Sequence, residues 1–318
     1  MTSFYTPRIG LALGSGSARG WAHIGVIQAL EAAGVRPDLV CGTSIGALVG
    51  ACYAAGQLDG LEQWVLSLKR TDVVSFMDFG MTSGMLKGTR LMNFFRTTFS
   101  DHDIEDLPLP FAAVATALHT GSEVWLRTGS AIDAVRASIA LPALFTPVWR
   151  DGRLLVDGGL VNPVPVSLAR AMEADIVIAV DLNSDLLGRH LRPTTSPRTV
   201  PSGNDWVRRI QENLSGLLPA PSASNATPLP EPPPPMPSTL NIVAASLNIM
   251  QARITRSRMA GDPSDTTVTP RLAHLGLLDF HRAQEAIEAG RLAVEAVLPS
   301  LREHGILPVA LPAPPDPT

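Results

Sequence analysis

Residues 42–46 read Gly-Thr-Ser-Ile-Gly, a G-x-S-x-G pattern centred on Ser44. An apolar run, Leu39–Cys41, precedes it, and a small-residue run, Ile45–Ala55, follows it. Between a strand and a helix this pattern makes a nucleophile elbow. Gly42 and Gly46 allow the tight turn, and the serine is pushed out above the sheet. A serine held that way attacks an ester or acyl carbonyl. The same five residues also fit an ordinary strand-to-helix turn in which Ser44 only caps the helix.

A second small-residue loop, Leu-Gly-Ser-Gly-Ser-Ala-Arg-Gly at 13–20, follows the apolar run at 8–13. A dinucleotide site requires G-x-G-x-x-G and an acidic residue ending the next strand. Here the third glycine, Gly20, falls one position late and that strand ends in Cys-Gly-Thr-Ser. A P-loop requires Gly-Lys-Ser/Thr, which the loop lacks. The third reading is an oxyanion site. Loops leaving neighbouring parallel strands meet at one sheet edge, so the backbone N–H groups of this loop would face Ser44.

A serine needs a base. None of the seven histidines lies in a glycine-rich loop after a well-defined late strand. His23 is nearest in sequence, in the first turn of a helix, where packing or capping is the ordinary role. Asp157 ends an apolar strand and is followed by Gly158 and Gly159. A carboxylate held against the hydroxyl and partly desolvated can take its proton. An Asp-Gly pair also makes a simple turn, and Asp181, after Ile-Val-Ile-Ala-Val, is a competing carboxylate.

The elements that must position these groups follow from periodicity. Strand, helix, strand and helix over residues 8–56 form a βαβ unit with a parallel sheet. Further strands are expected at Phe111–Ala117, Glu123–Leu126, Leu154–Val156, 175–183 and 266–272. Helices are expected at Ala22–Ala33, Asp59–Leu68, Ala131–Ile139, Val164–Met172, Thr239–Met259 and Phe280–Leu298. Met85–Phe99, with Lys87, Arg90 and Arg96, reads as a core-packing helix with a solvated basic face; the other reading is an acyl-pocket wall or membrane contact. Residues 188–238 are rich in proline and polar filler, with a short helical island at Trp206–Leu217. They read as a largely disordered insertion, with residues 8–187 and 239–298 forming one domain. Residues 308–318 form a second proline-rich tail.

The chain has 318 residues, 45% of them hydrophobic, enough for a substantial core. A net charge of −4 gives no basic field for nucleic acid. Cys41 and Cys52 are the two cysteines, and both suit buried thiols in a reducing compartment. No leader and no run of about 20 apolar residues is present, so a cytoplasmic location is expected, with room for peripheral contact at the inner membrane.

The order of the three motifs, Gly-Ser-Gly-Ser-Ala-Arg-Gly, then Gly-Thr-Ser-Ile-Gly, then Asp-Gly-Gly, resembles the patatin-like phospholipase family. The chain is most similar to the bacterial branch related to the neuropathy-target-esterase catalytic domain, over about residues 8–183. The helix region at 276–290 resembles that branch too. The resemblance implies a three-layer α/β/α fold with a mostly parallel central sheet and the serine elbow between strand and helix. It implies a Ser44–Asp157 dyad without histidine, an oxyanion loop of Ser15, Gly16 and Ser17 shaped by Gly14, Arg19 and Gly20, and no cofactor or metal. A lipid or other acyl ester is the implied substrate, cleaved by a phospholipase A or lysophospholipase type of reaction. Two glycines of the family loop are Ser15 and Ser17 here; serine keeps the N–H donor but is less at ease at positive φ. The remaining alternatives are a non-catalytic regulatory or scaffold protein and a nucleotide-binding oxidoreductase.

Overall fold

The computed structural model describes residues 6–72, 89–98, 101–142, 144–185, 239–303 and 305–307. Eight strands form one sheet: β1 (Ile9–Leu13), β2 (Leu39–Thr43), β3 (Phe111–Ala117), β4 (Ser122–Leu126), β5 (Val148–Arg150), β6 (Arg153–Asp157), β7 (Ile176–Val180) and β8 (Thr266–Val268). Their order is β5-β6-β3-β2-β1-β7-β8, with β4 on the other edge of β3. The run from β3 to β8 is parallel, while β4, β5 and β6 join antiparallel.

Strand alternation divides the core into two layers. Leu11, Val40, Ala113, Ile178 and Val180 face one side. Ala12, Cys41, Ala112, Val114, Val177 and Ala179 face the other. The first side is covered by α1 (Ala22–Ala32), α2 (Ile45–Ala54), α3 (Leu58–Ser67), α4 (Thr89–Thr98), α5 (Ala131–Ser138) and α8 (Ala283–Glu303). The second is covered by α6 (Val166–Ala171), with Met259 of α7 (Thr239–Gly261) packed against it. The expected three-layer α/β/α architecture with a mostly parallel sheet is therefore present. Strands buried on both faces account for the near-continuous apolar runs in β1, β2, β3 and β7.

Helices α1 and α8 meet backbone to backbone. A Cβ on Gly25 would collide with the Ile287 carbonyl, and one on Gly290 with the Ala22 carbonyl. Cys41 and Cys52 are buried free thiols.

Several boundaries differ from expectation. Strand β8 stops at Val268, because Pro270 has no N–H to continue the ladder. Strand β5 was not anticipated; three residues are too few to show alternation. In α4, Met92 and Phe95 are buried, and the Phe95 ring packs edge-on against Trp64 at 5.2 Å. Arg96 stays exposed and pairs with Asp133. This stretch is a core-packing helix with a solvated cation, whereas Lys87 and Phe99 lie outside the described residues. So do the 188–238 insertion, with its helical island at Trp206–Leu217, and the 308–318 tail. Strand β8, which follows the insertion, pairs in parallel with β7.

Candidate active site

One edge of β3 explains the centre of the site. Over 111–114 it pairs with β2 in parallel, and over 115–117 it pairs with β6 antiparallel. The C-terminal ends of β2 and β6 therefore abut along a single edge. Thr43 lies opposite Val114 and Asp157 opposite Ala115, so Ser44 leaves β2 where Asp157 arrives. Two hydroxyls fix the junction: Thr43 Oγ1 donates to the Asn162 carbonyl and Thr116 Oγ1 to the Asp157 carbonyl, each at 2.8 Å.

Ser44 turns the chain from β2 into α2 with φ 58° and ψ −123°, a conformation that side-chain-bearing residues rarely adopt. The flanking glycines are sterically required. A Cβ on Gly46 would strike the Leu13 carbonyl, and one on Gly42 would strike the Gly46 carbonyl. Ser44 Oγ donates to Asp157 Oδ2 at 2.6 Å, the short range of hydrogen bonds to an ionised acceptor. The other carboxylate oxygen accepts from the Gly159 N–H at 2.7 Å. Gly158 sits against the Val114 carbonyl with no room for a side chain. Asp157 is fully buried. Burial pushes its carboxyl up to about 6, against the opposing pull of the bonds from Ser44 and Gly159.

The 14–20 loop is only partly available to a ligand. Gly14 N–H donates to the Val180 carbonyl at 3.0 Å and Ser15 N–H to the Pro163 carbonyl at 2.8 Å. Ser15 is therefore corrected as a backbone donor: its N–H is spent on the loop after Asp157, and its hydroxyl donates to Gln251 Oε1 at 3.1 Å. Among the described residues, the N–H groups of Gly16 and Ser17 have no hydrogen-bond partner. Ser17 takes φ 53°, the strained region foreseen for a serine replacing glycine, and its hydroxyl donates to the Leu277 carbonyl at 2.6 Å. Gly20 packs directly on the Ile45 side chain, joining the loop to the start of α2.

Arg19 braces the loop from inside. It is 1% exposed; Nε donates to the Gly16 carbonyl at 3.2 Å and Nη2 to Asn248 Oδ1 at 2.9 Å. Burial lowers it to about 10, offset by the fields of Asp185 and Asp181. Asp181 therefore faces Arg19, and its Oδ1 accepts from the Asn183 N–H. His23 is equally removed. Its Nε2 donates to the Gly14 carbonyl at 2.7 Å, and burial holds it neutral, down to about 4. It pins the loop from below.

Sequence reasoning missed three contributors. Ser138, closing α5, accepts from the Ser44 N–H at 2.8 Å and donates to the Val114 carbonyl at 2.6 Å. Gln251 and Asn248, both on α7, wall the cleft together with Leu247, Leu141 and Leu277. Gln251 links Ser15 to Asn183, and its amide lies against Gly159. Nothing local marks these residues, since their partners lie 24 to 236 positions away.

The site thus holds a strained serine hydroxyl on a buried carboxylate, beside two N–H groups pointing to no protein acceptor among the described residues. The model of the family described as patatin-like phospholipase matches residues 11–170. An uncharacterized NTE family protein of Mycobacterium tuberculosis is 34% identical, over 92% of this chain and 92% of that one. Patatin-like phospholipase domain-containing protein 6 of Homo sapiens is 40% identical, over 55% of this chain but 13% of that much longer protein. Among solved structures, VipD from Legionella pneumophila superposes with a TM-score of 0.44 at 13% identity, over 95% of this chain and 78% of that one. The family match and the full-length mycobacterial relative together show that the chain belongs to the patatin-like phospholipase family, a family of lipid hydrolases.

Proposed function

We propose that the chain is a serine hydrolase of lipid esters, of the phospholipase A or lysophospholipase type, working through Ser44 and Asp157. The observation that carries the reading is the 2.6 Å bond from Ser44 Oγ to Asp157 Oδ2, made at a residue strained to φ 58°. Ser44 Oγ attacks the ester carbonyl carbon while its proton passes to Asp157 Oδ2. The carbonyl oxygen becomes an oxyanion that accepts from the Gly16 and Ser17 N–H groups, with the N-terminus of α2 adding its dipole. Collapse expels the alcohol or lysolipid, which takes the proton from Asp157. Water then attacks the acyl carbon as its proton passes to Asp157; collapse breaks the bond to Ser44 Oγ, which takes that proton back as the fatty acid leaves.

The dyad needs no histidine because the carboxyl is already a stronger base than an ordinary aspartate. Its burial raises it to about 6, so it is ionised at neutral pH and close in pKa to the working pH. Loop, dyad and α7 converge on one cleft, which favours an enzyme over the scaffold reading. The 14–20 loop faces that cleft, which weakens the dinucleotide reading.

The test is hydrolysis of p-nitrophenyl butyrate and of phospholipid in vesicles by wild type, Ser44→Ala and Asp157→Asn. Wild-type turnover of both, with each variant reduced by at least ~10³-fold, is the expected result. Turnover surviving in Ser44→Ala would refute the proposal.

A further inference from the structure

The helix that walls the cleft has a second face. On α7, Leu247, Asn248 and Gln251 turn toward the site, and Ala252 and Thr255 are buried. Ile242, Val243, Ile249 and Met250 lie on the opposite stripe, each 39% to 47% exposed. Their spacing puts them two turns apart in pairs on one line of the helix surface. Nine large apolar side chains are strongly exposed among the described residues, and four of them are these. A helix apolar on both its inner and outer faces has a second partner beyond the core.

Charge says which partner. Residues 239–261 contain Arg253, Arg256 and Arg258 and no acidic residue, in a chain of net charge −4. Arg258 is taken up by Glu123 at 2.5 Å. Arg253 and Arg256 are exposed and continue the apolar stripe toward the helix C-terminus. An apolar line ending in cations matches an anionic bilayer surface, with alkyl groups below the headgroups and arginines at phosphate level. A second copy would set arginine against arginine. Residues 186–238 carry five arginines against three acidic residues, the same sign again.

We propose that the outer stripe of α7 docks the protein on an anionic lipid bilayer, with the cleft on the inner face of the same helix. The proposal rests on the lipid-ester reading of the site, since it makes a membrane-resident lipid the substrate. One helix then does both tasks, touching the bilayer on one face and the site on the other.

Co-sedimentation with vesicles of phosphatidylcholine, with and without phosphatidylglycerol, tests it. Wild type and Ser44→Ala are expected to bind the anionic vesicles alike, and more tightly than the neutral ones. The double variant Ile249→Asp/Met250→Asp is expected to bind roughly tenfold or more weakly, and Arg253→Glu to lose binding mainly at low salt. Both variants keep wild-type turnover of p-nitrophenyl butyrate while hydrolysis of vesicle phospholipid falls with binding. Binding that is absent in wild type, indifferent to phosphatidylglycerol, or untouched in the double variant overturns the proposal. So does a double variant that turns a wild-type dimer into a monomer. If vesicles bind as described but no ester is cleaved, the docking surface stands and the Ser44–Asp157 reading falls.

Discussion

Ser44, Asp157, Ser17 and His23 each give up local comfort for position. Asp157 is the costly one. Its carboxyl is protonated below about 6 in the folded protein and below its ordinary 3.8 when unfolded. The folded state therefore holds the extra proton between those values, and stability falls as pH rises through the window. His23 acts in the opposite sense. Its folded value of about 4 lies below its ordinary 6.5, so stability is full above 6.5 and is lost as pH falls toward 4. Asp157→Asn should abolish turnover yet stabilise the fold at pH 8 by on the order of 3 kcal/mol. The same variant should become more sensitive to acid between pH 6.5 and 4, because only the His23 contribution remains. Thermal melts from pH 4 to 8 check both signs. Wild-type kcat/KM should rise through pH ~6 and level off, since Asp157 must be ionised to accept a proton. At Ser17, positive φ costs about 1 kcal/mol and the bond to Leu277 returns a similar amount. Ser17→Gly should leave stability nearly unchanged, while Ser17→Ala, keeping the strain and losing the bond, should lower it by ~1 kcal/mol.

At the scale of elements, the site exists because β2 and β6 end head to head on one edge of β3. The gap between them leaves the Val114 carbonyl unpaired by a strand, and Ser138 closes it while holding the Ser44 N–H. Ser138→Ala should cost ~1–3 kcal/mol, from a buried carbonyl left without a donor. It should also slow turnover, by roughly tenfold or more, by loosening the elbow. Ser138→Thr, which keeps the hydroxyl, should recover much of both, and melts beside kcat measurements separate the two effects. The motifs themselves were legible in the sequence: Gly42, Ser44 and Gly46 fall within one turn, and the clash that requires Gly42 is local, whereas the one that requires Gly46 comes from Leu13 on β1. The strand order that makes Asp157 the partner, rather than Asp181 at an equally plausible strand end, is a property of the sheet. No periodicity encodes it. The same holds for Gln251 and Asn248, which reach the site only because α7 returns across it after a long excursion in sequence. Ser15 shows the converse: its position in the loop was legible, but the diversion of its N–H to Pro163 depends on a chain segment almost 150 residues away.

For the whole molecule, the sheet core was legible from its apolar runs, and its closing layer depends on distant contacts. Helix α8 covers α1 through the Gly25 and Gly290 crossings. Gly290→Val should force the helices apart and lower the melting temperature far more than an exposed substitution on α8 would. Because β8 pairs with β7, we treat residues 8–187 and 239–298 as one domain interrupted by 188–238. Replacing that segment with a flexible linker should leave p-nitrophenyl butyrate turnover in place. Among the described residues no helix is long and apolar enough to cross a membrane. All of this serves one hydroxyl, and a fluorophosphonate probe reads it most directly. Mass mapping of the labelled protein should find the adduct on Ser44, formed faster as pH rises through ~6 and slowed by at least ~10³-fold in Asp157→Asn. An adduct on another residue, or labelling of Asp157→Asn at the wild-type rate, would contradict the Ser44–Asp157 dyad.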